Sequence, residues 1–247
     1  MDEVIESDGL RLGAHFARPG SGSGRPPGVV LCHGFPSGPR GAATSAATYP
    51  ELADRLARDV GWAALTFNFR GTGTSEGDFS IGGWIEDLRA AIGVLAQQTN
   101  GVWVVGVGEG GTIAICEAEG DDRVRGVATL AAPAWLREWS RDPARLVAHA
   151  RGIGMIHTAG YPADVGAWGK EVTALDARVA ARRMAPRPLL VLHGSADDVV
   201  TPSEARTLAG AGGANAELRL VHAAGHRLRH DPRAVAGLVG WLARQTP

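Results

Sequence analysis

Short apolar runs of strand length alternate with segments of helical spacing along most of this chain, and few folds accommodate that rhythm. Strands buried on both faces read as continuous apolar runs, and parallel neighbours need a long crossover, usually a helix, between them. The runs are Val29–Cys32, Ala63–Phe69, Val102–Val105, Val124–Leu130, Pro188–Leu192 and Leu218–Val221. Between them, helical spacing aligns Leu52 with Leu56, then Trp84, Leu88, Ile92 and Leu95, and last Val235, Leu238, Val239 and Leu242. Further helices are expected over Thr112–Ala118 and Pro202–Ala209. At the N-terminus, Val4–Ser7 and Arg11–Phe16 flank Asp8-Gly9, a good hairpin turn, and residues 18–28 are too rich in Pro, Gly and Ser to be anything but loop. The expectation is a mostly parallel, eight-stranded α/β sheet with helices on both faces.

One segment breaks the rhythm. Residues 133–184 carry Trp135, Trp139, Tyr161 and Trp168 among polar residues, and their helical signals are weak. They are read as a short cap-like insertion after the sixth strand, over the sheet's C-terminal edge. With 247 residues, the chain suits one domain, 1–247, including that insertion.

Charge and composition exclude several classes of partner. The formal net charge is −1, so no whole-protein field draws in nucleic acid or an anionic membrane. Cys32 and Cys116 both sit in apolar runs, as small buried hydrophobes rather than a disulfide. Met1-Asp2-Glu3 lacks the basic and apolar regions of a signal peptide, and no apolar run has transmembrane length, so a cytoplasmic location is expected. The expected partner is a small-molecule substrate or ligand; the sequence leaves the oligomeric state open.

Four motifs fall at the C-terminal ends of the expected strands, where open α/β sheets bind their ligands. They are His33-Gly34-Phe35, the run Arg70-Gly71-Thr72-Gly73-Thr74-Ser75-Glu76-Gly77, the cluster Gly106-Val107-Gly108-Glu109-Gly110-Gly111, and the distal pair Asp197 and His226. In this order the set resembles the α/β-hydrolase superfamily, especially its bacterial esterase and dienelactone-hydrolase-like branches, from Val29 to Leu242. The resemblance implies an α/β-hydrolase fold. It also implies a G-x-S-x-G turn over residues 106–110, which places Gly108 where the family has its serine nucleophile. Glycine has no side chain, and no serine or cysteine stands within two residues, so an acyl-enzyme at this position is excluded.

The other parts implied by the resemblance have matching residues. The backbone N–H groups of Phe35 and Glu109 would form the oxyanion hole, with His33 and Gly34 shaping it, and neither donor needs a particular side chain. Asp197 matches the family's acid, with Asp198 as the alternative, and His226 matches its base. Such a dyad can act as a general base with or without a serine. Trp135 and Trp168 are expected in the pocket wall. Glu109 could reach the empty serine space as acid, base or carboxylate nucleophile, although a solvated first-turn glutamate is the plainer reading. Ser37 and Ser75 are remote alternative nucleophiles.

Competing readings are weaker. Gly106-x-Gly108-x-x-Gly111 also fits a dinucleotide-binding fingerprint, but Leu130-Ala131-Ala132-Pro133 stands where that motif expects an acid. His222, His226 and His230 have even spacing but flank a loop, not a helix, so no metal is expected; nor is an organic cofactor. Three functions follow: a serine-independent enzyme (hydrolase, isomerase, cyclase or lyase), a catalytically inactive binding or scaffold protein, or an ordinary esterase inactivated by a serine-to-glycine change.

Overall fold

The computed structural model describes residues 3–20, 24–36, 41–136, 139 and 141–245. Eight strands form one sheet: β1 (Glu3–Ser7), β2 (Leu10–Ala17), β3 (Gly28–Cys32), β4 (Ala63–Phe67), β5 (Val102–Val107), β6 (Val124–Leu130), β7 (Leu189–Gly194) and β8 (Ala216–Val221). Their order is β1-β2-β4-β3-β5-β6-β7-β8. β1 and β2 pair antiparallel, as do β2 and β4, and every other pairing is parallel. The β1–β2 turn is the expected one: Asp8 and Gly9 both have positive φ, 52° and 77°, matching the twist of the strands they join.

Helices α1 (Tyr49–Val60), α2 (Ile81–Ala96), α3 (Glu109–Gly120), α4 (Pro143–Gly152), α5 (Val165–Ala174), α6 (Ala177–Met184), α7 (Pro202–Gly212) and α8 (Pro232–Ala243) complete the fold. The two-residue period of the strands divides the core. On β3, Val29 and Leu31 face one apolar cluster with Leu52 and Leu56 of α1 and Leu238 and Trp241 of α8. Val30 and Cys32 face the other, with Leu88 and Ile92 of α2 and Ile113 of α3. Each fully buried Leu, Ile or Val contributes about 1.5–3 kcal/mol, so the two layers hold the sheet from both sides.

The insertion is more helical than its sequence suggests. Asp142, Asp164 and Asp176 cap α4, α5 and α6 by accepting backbone N–H bonds from Arg145, Ala167 and Arg178 respectively. These caps compensate for apolar faces too short to give a clear periodicity. α6 is not over the sheet edge: Ala177, Ala180, Ala181 and Met184 are buried, and the helix packs between α3 and α7 in the covering layer. The earlier part is tied to the loop after β4. The Asp78 carboxylate accepts from the His157 and Thr158 amides, and the Phe79 amide donates to Met155 O at 2.9 Å. Among the described residues, no helix is long and apolar enough to cross a membrane.

Candidate functional site

The strand order reverses between β3 and β5, which leaves a crevice beyond their C-terminal ends. β5 runs two residues further than its apolar core, to Val107, and α3 begins at Glu109 rather than Thr112. Only Gly108 separates the two elements, at φ 54° and ψ −131°. A β-carbon at Gly106 would lie 2.5 Å from Gly111 Cα, and one at Gly110 would lie 2.9 Å from the His33 carbonyl carbon. The turn is therefore glycine-dependent on both sides of residue 108. At Gly108 itself a β-carbon would have, apart from its chain neighbours Val107 and Glu109, only Gly34 Cα within 4 Å, at 3.7 Å. The apex has space for a side chain.

Across the crevice, the loop after β3 brings Phe35 to the same place. Its backbone N–H does not stand open. It donates to Oε2 of Glu109 at 2.9 Å. The Glu109 side chain therefore turns back from the first turn of α3 towards Gly34, rather than pointing straight out to solvent. The residue is half-buried, packed against the Gly34–Phe35 loop on one side and open to the adjoining pocket on the other. Burial raises its pKa above the ordinary carboxyl range, opposed by the Phe35 and Glu109 amides and by the charge of His226. No periodicity or spacing signal pointed to this; only the anomaly of an acid beside a missing serine did.

Asp197 and His226 come together from separate loops. Asp197, on the loop after β7, is buried, and its Oδ1 accepts from the Val199 and Val200 amides at 3.0 and 2.9 Å. Its Oδ2 lies 3.0 Å from Nδ1 of His226, on the loop after β8. A carboxylate held by two amides fixes the imidazole with Nδ1 protonated and Nε2 as the free base. His193 adds a second imidazole: its Nε2 is 3.2 Å from Asp197 Oδ2 and 2.8 Å from Val200 O, so that nitrogen carries the proton. Asp198 is exposed and plays no part in this pairing.

Other sequence candidates lie elsewhere. His33 is buried under the crevice: its Nε2 accepts from the Phe69 amide at 3.1 Å, and its Nδ1 donates to Gly34 O at 2.7 Å. Burial lowers its pKa to about 4, so it is a neutral support for the Gly34–Phe35 loop rather than a group open to ligand. Trp168 is also buried, with its indole N–H donating to Phe79 O, and does not line the pocket. Trp135 does. The pocket beside Glu109 measures ≈ 430 Å³ and is lined by Trp135, Trp139, Arg141, Val200 and Glu204 among others. A cavity of ≈ 620 Å³ lies at the opposite edge of the sheet, bordered by Arg18, Arg25 and Arg58, away from all these groups.

Ser75 is committed to the turn after β4, donating to Asn68 O and accepting from the Gly13 amide. Ser37 lies outside the described residues. Arg70 forms a buried pair with Asp87 (2.8 Å) rather than facing the pocket. Cys32 and Cys116 are free thiols whose pKa values burial raises to about 12. Among the described residues, no group of three or more His, Cys, Asp or Glu side chains converges to hold a metal ion.

Comparisons with known proteins bear on the family and the fold. The family model described as "Alpha/beta hydrolase family" matches residues 29–238. Comparison with curated proteins gives no match. Among solved structures, the chain resembles Est1E from Butyrivibrio proteoclasticus with ferulic acid bound, at 16% identity and a TM-score of 0.75 over 98% of this chain and 96% of that one. It also resembles the Pyrococcus furiosus esterase Pf2001, at 20% identity and 0.71, over 99% and 91%. A third is the alpha/beta hydrolase GrgF from Penicillium sp. sh18, at 17% and 0.74, over 99% and 98%. At these identities the similarity shows a shared fold.

Proposed function

The chain belongs to the α/β-hydrolase family, and from that premise we propose that it acts on a small ester-like or carbonyl substrate without a covalent serine, using His226 as general base. The observation carrying this reading is the Asp197–His226 pair, 3.0 Å apart, with Asp197 held by two further amides. Such bracing has a chemical use: it sets the tautomer and stabilises the imidazolium that forms when Nε2 takes a proton. With no side chain at Gly108, the attacking oxygen comes from water rather than from a serine Oγ.

In this reading the base removes a proton from water as the water oxygen attacks the substrate carbonyl carbon. The carbonyl electron pair moves onto its oxygen, towards the positive end of α3. The imidazolium then returns its proton to the departing alkoxide. Est1E, solved with ferulic acid bound, supports placing an aryl-substituted ester in the test panel. The aromatic lining at Trp135 and Trp139 suits the same choice.

The test is turnover of short-chain and aryl esters, including a hydroxycinnamate ester, by wild type, His226→Ala and Asp197→Ala. The expected outcome is hydrolysis that falls at least about 100-fold in both variants, the usual contribution of a positioned general base. Wild-type rates equal to those of His226→Ala would sink the hydrolytic reading. One observation favours a second reading, a ligand-binding protein on an inactive hydrolase frame: the Phe35 amide is already occupied by Glu109. That reading predicts that His226→Ala leaves ligand affinity unchanged.

A further inference from the structure

Glu109 is the residue that meets both the turn and the pocket. Its Oε2 holds the Phe35 amide, its side chain packs beside Gly34 across from Gly108, and it forms part of the pocket lining. A carbonyl oxygen cannot take the Phe35 N–H while the Glu109 carboxyl holds it. The amide therefore acts on substrate through this carboxyl, or not at all.

We propose that Glu109 is the proton donor of the His226-dependent reaction, with Oε2 anchored by the Phe35 amide and the other carboxyl oxygen delivering a proton to the substrate carbonyl. This rests on the reading of the site given above and names the acid that completes it. An anchored carboxyl has one oxygen fixed and one oxygen at liberty, and an acid in that state donates in a defined direction. Burial favours the protonated form needed for the role, as in other buried carboxyl groups that act as hydrogen-bond donors. The Phe35 N–H, bonded to Oε2, disperses the negative charge that appears on the carboxylate once the proton has left.

The step balances. Water oxygen bonds to the carbonyl carbon, and His226 Nε2 takes one water proton. The carbonyl π pair becomes a lone pair on oxygen, which takes the Glu109 proton, giving a neutral tetrahedral intermediate. In collapse, the Glu109 carboxylate recovers that proton as the C=O bond reforms. The C–O bond to the alkoxide breaks, and the alkoxide takes the proton held by His226. One water is consumed, and one acid and one alcohol are released.

The ionisable groups around Glu109 come from four elements: His226 from the loop after β8, Tyr49 from α1, Arg141 from the insertion and Glu204 from α7. Two groups set the pH profile. His226 must be neutral to take the water proton. Glu109 must be protonated, so activity falls as pH rises through its elevated pKa.

The experiment compares kcat/KM from pH 5 to 9 for wild type, Glu109→Gln, Glu109→Ala and His226→Ala on the same esters. Glutamine keeps an oxygen for the Phe35 amide but has no acidic proton. The expected result is a loss of about 100-fold or more in Glu109→Gln, with the alkaline limb absent from the remaining activity. A Glu109→Gln rate within threefold of wild type, or a Glu109→Ala variant faster than wild type, overturns the proposal; the second outcome would make Glu109 a plug to be displaced. An alkaline limb in wild type that persists unchanged in Glu109→Gln also overturns it. If wild type never exceeds His226→Ala, the hydrolytic reading fails and this inference fails with it. If wild type exceeds His226→Ala and equals Glu109→Gln, only this inference fails.

Discussion

Gly108 offers the most direct test of the turn, because its conformation and its surroundings make opposite demands. At φ 54° and ψ −131° the backbone lies where L-residues are strained, and a non-glycine residue there costs about 1–3 kcal/mol. Little else crowds it, however: apart from its chain neighbours Val107 and Glu109, a β-carbon added there would meet only Gly34 Cα within 4 Å, at 3.7 Å. Gly108→Ala should therefore fold and carry chiefly the backbone strain, and Gly108→Ser should fold while also displacing the Glu109 carboxyl. For a domain of this size each kcal/mol corresponds to about 2–4 °C, so Tm should fall by roughly 2–12 °C. Gly106→Ala is the contrasting variant. Its β-carbon would lie 2.5 Å from both Gly110 C and Gly111 Cα, backbone atoms that cannot yield without moving the start of α3. It should lose more stability than Gly108→Ala. Thermal and urea denaturation followed by circular dichroism measure both. A Gly108→Ala protein as stable as wild type would refute the strained conformation, and an undisturbed Gly106→Ala would refute the close approach of α3 to β5. Gly108→Ser also puts a hydroxyl at the position where the family has its serine nucleophile. A fluorophosphonate probe should add covalently to that variant and not to wild type, as read by intact mass.

Two further predictions concern stability. Arg70 and Asp87 form a buried ion pair, their side chains 10% and 0% exposed, so Arg70→Ala strands a carboxylate and should cost about 3–5 kcal/mol, or on the order of 10 °C in Tm. Arg55→Ala, which breaks an exposed pair with Asp59, should cost only about 0.3–0.5 kcal/mol; equal losses in the two variants would refute the difference assigned to burial. Burial holds His33 at a pKa of about 4, below its ordinary 6.5, so the unfolded chain binds the extra proton between those values. Stability should accordingly fall by about 3 kcal/mol as pH drops from 6.5 towards 4. Urea titrations at pH 7, 5.5 and 4.5 should show a shallower fall in His33→Gln, and identical slopes would refute the linkage.

The fold was legible because its signals are collective. Val29 to Cys32 reads as a strand buried on both faces, and the structure divides those four residues alternately between two cores. Asp8-Gly9 encodes its own turn through two positive φ values. The insertion was less legible because helices of eight to ten residues present too few turns for a clear period. What specifies them instead is one aspartate before each, and α6 joins the main layer through small buried alanines that carry little pattern.

The site divides along a similar line. Groups fixed by strand ends could be read from sequence: Asp197 and His226 lie one loop beyond β7 and β8, and the sheet brings those loops together whatever the intervening residues. Groups fixed by a side-chain conformation could not. Glu109 stands on the first turn of a helix, where a carboxylate gains from the dipole while pointing to solvent, so local physics alone favours that outcome. What changes the balance is long-range: the loop after β3 brings an amide within 2.9 Å of Glu109 Oε2, and a missing side chain at Gly108 leaves the intervening volume open. A serine at that position would contend for the same crevice with a carboxyl already bonded across it. The glycine at 108 and the acid at 109 are therefore physically coupled: a side chain added at 108 restricts what the Glu109 carboxyl is able to occupy.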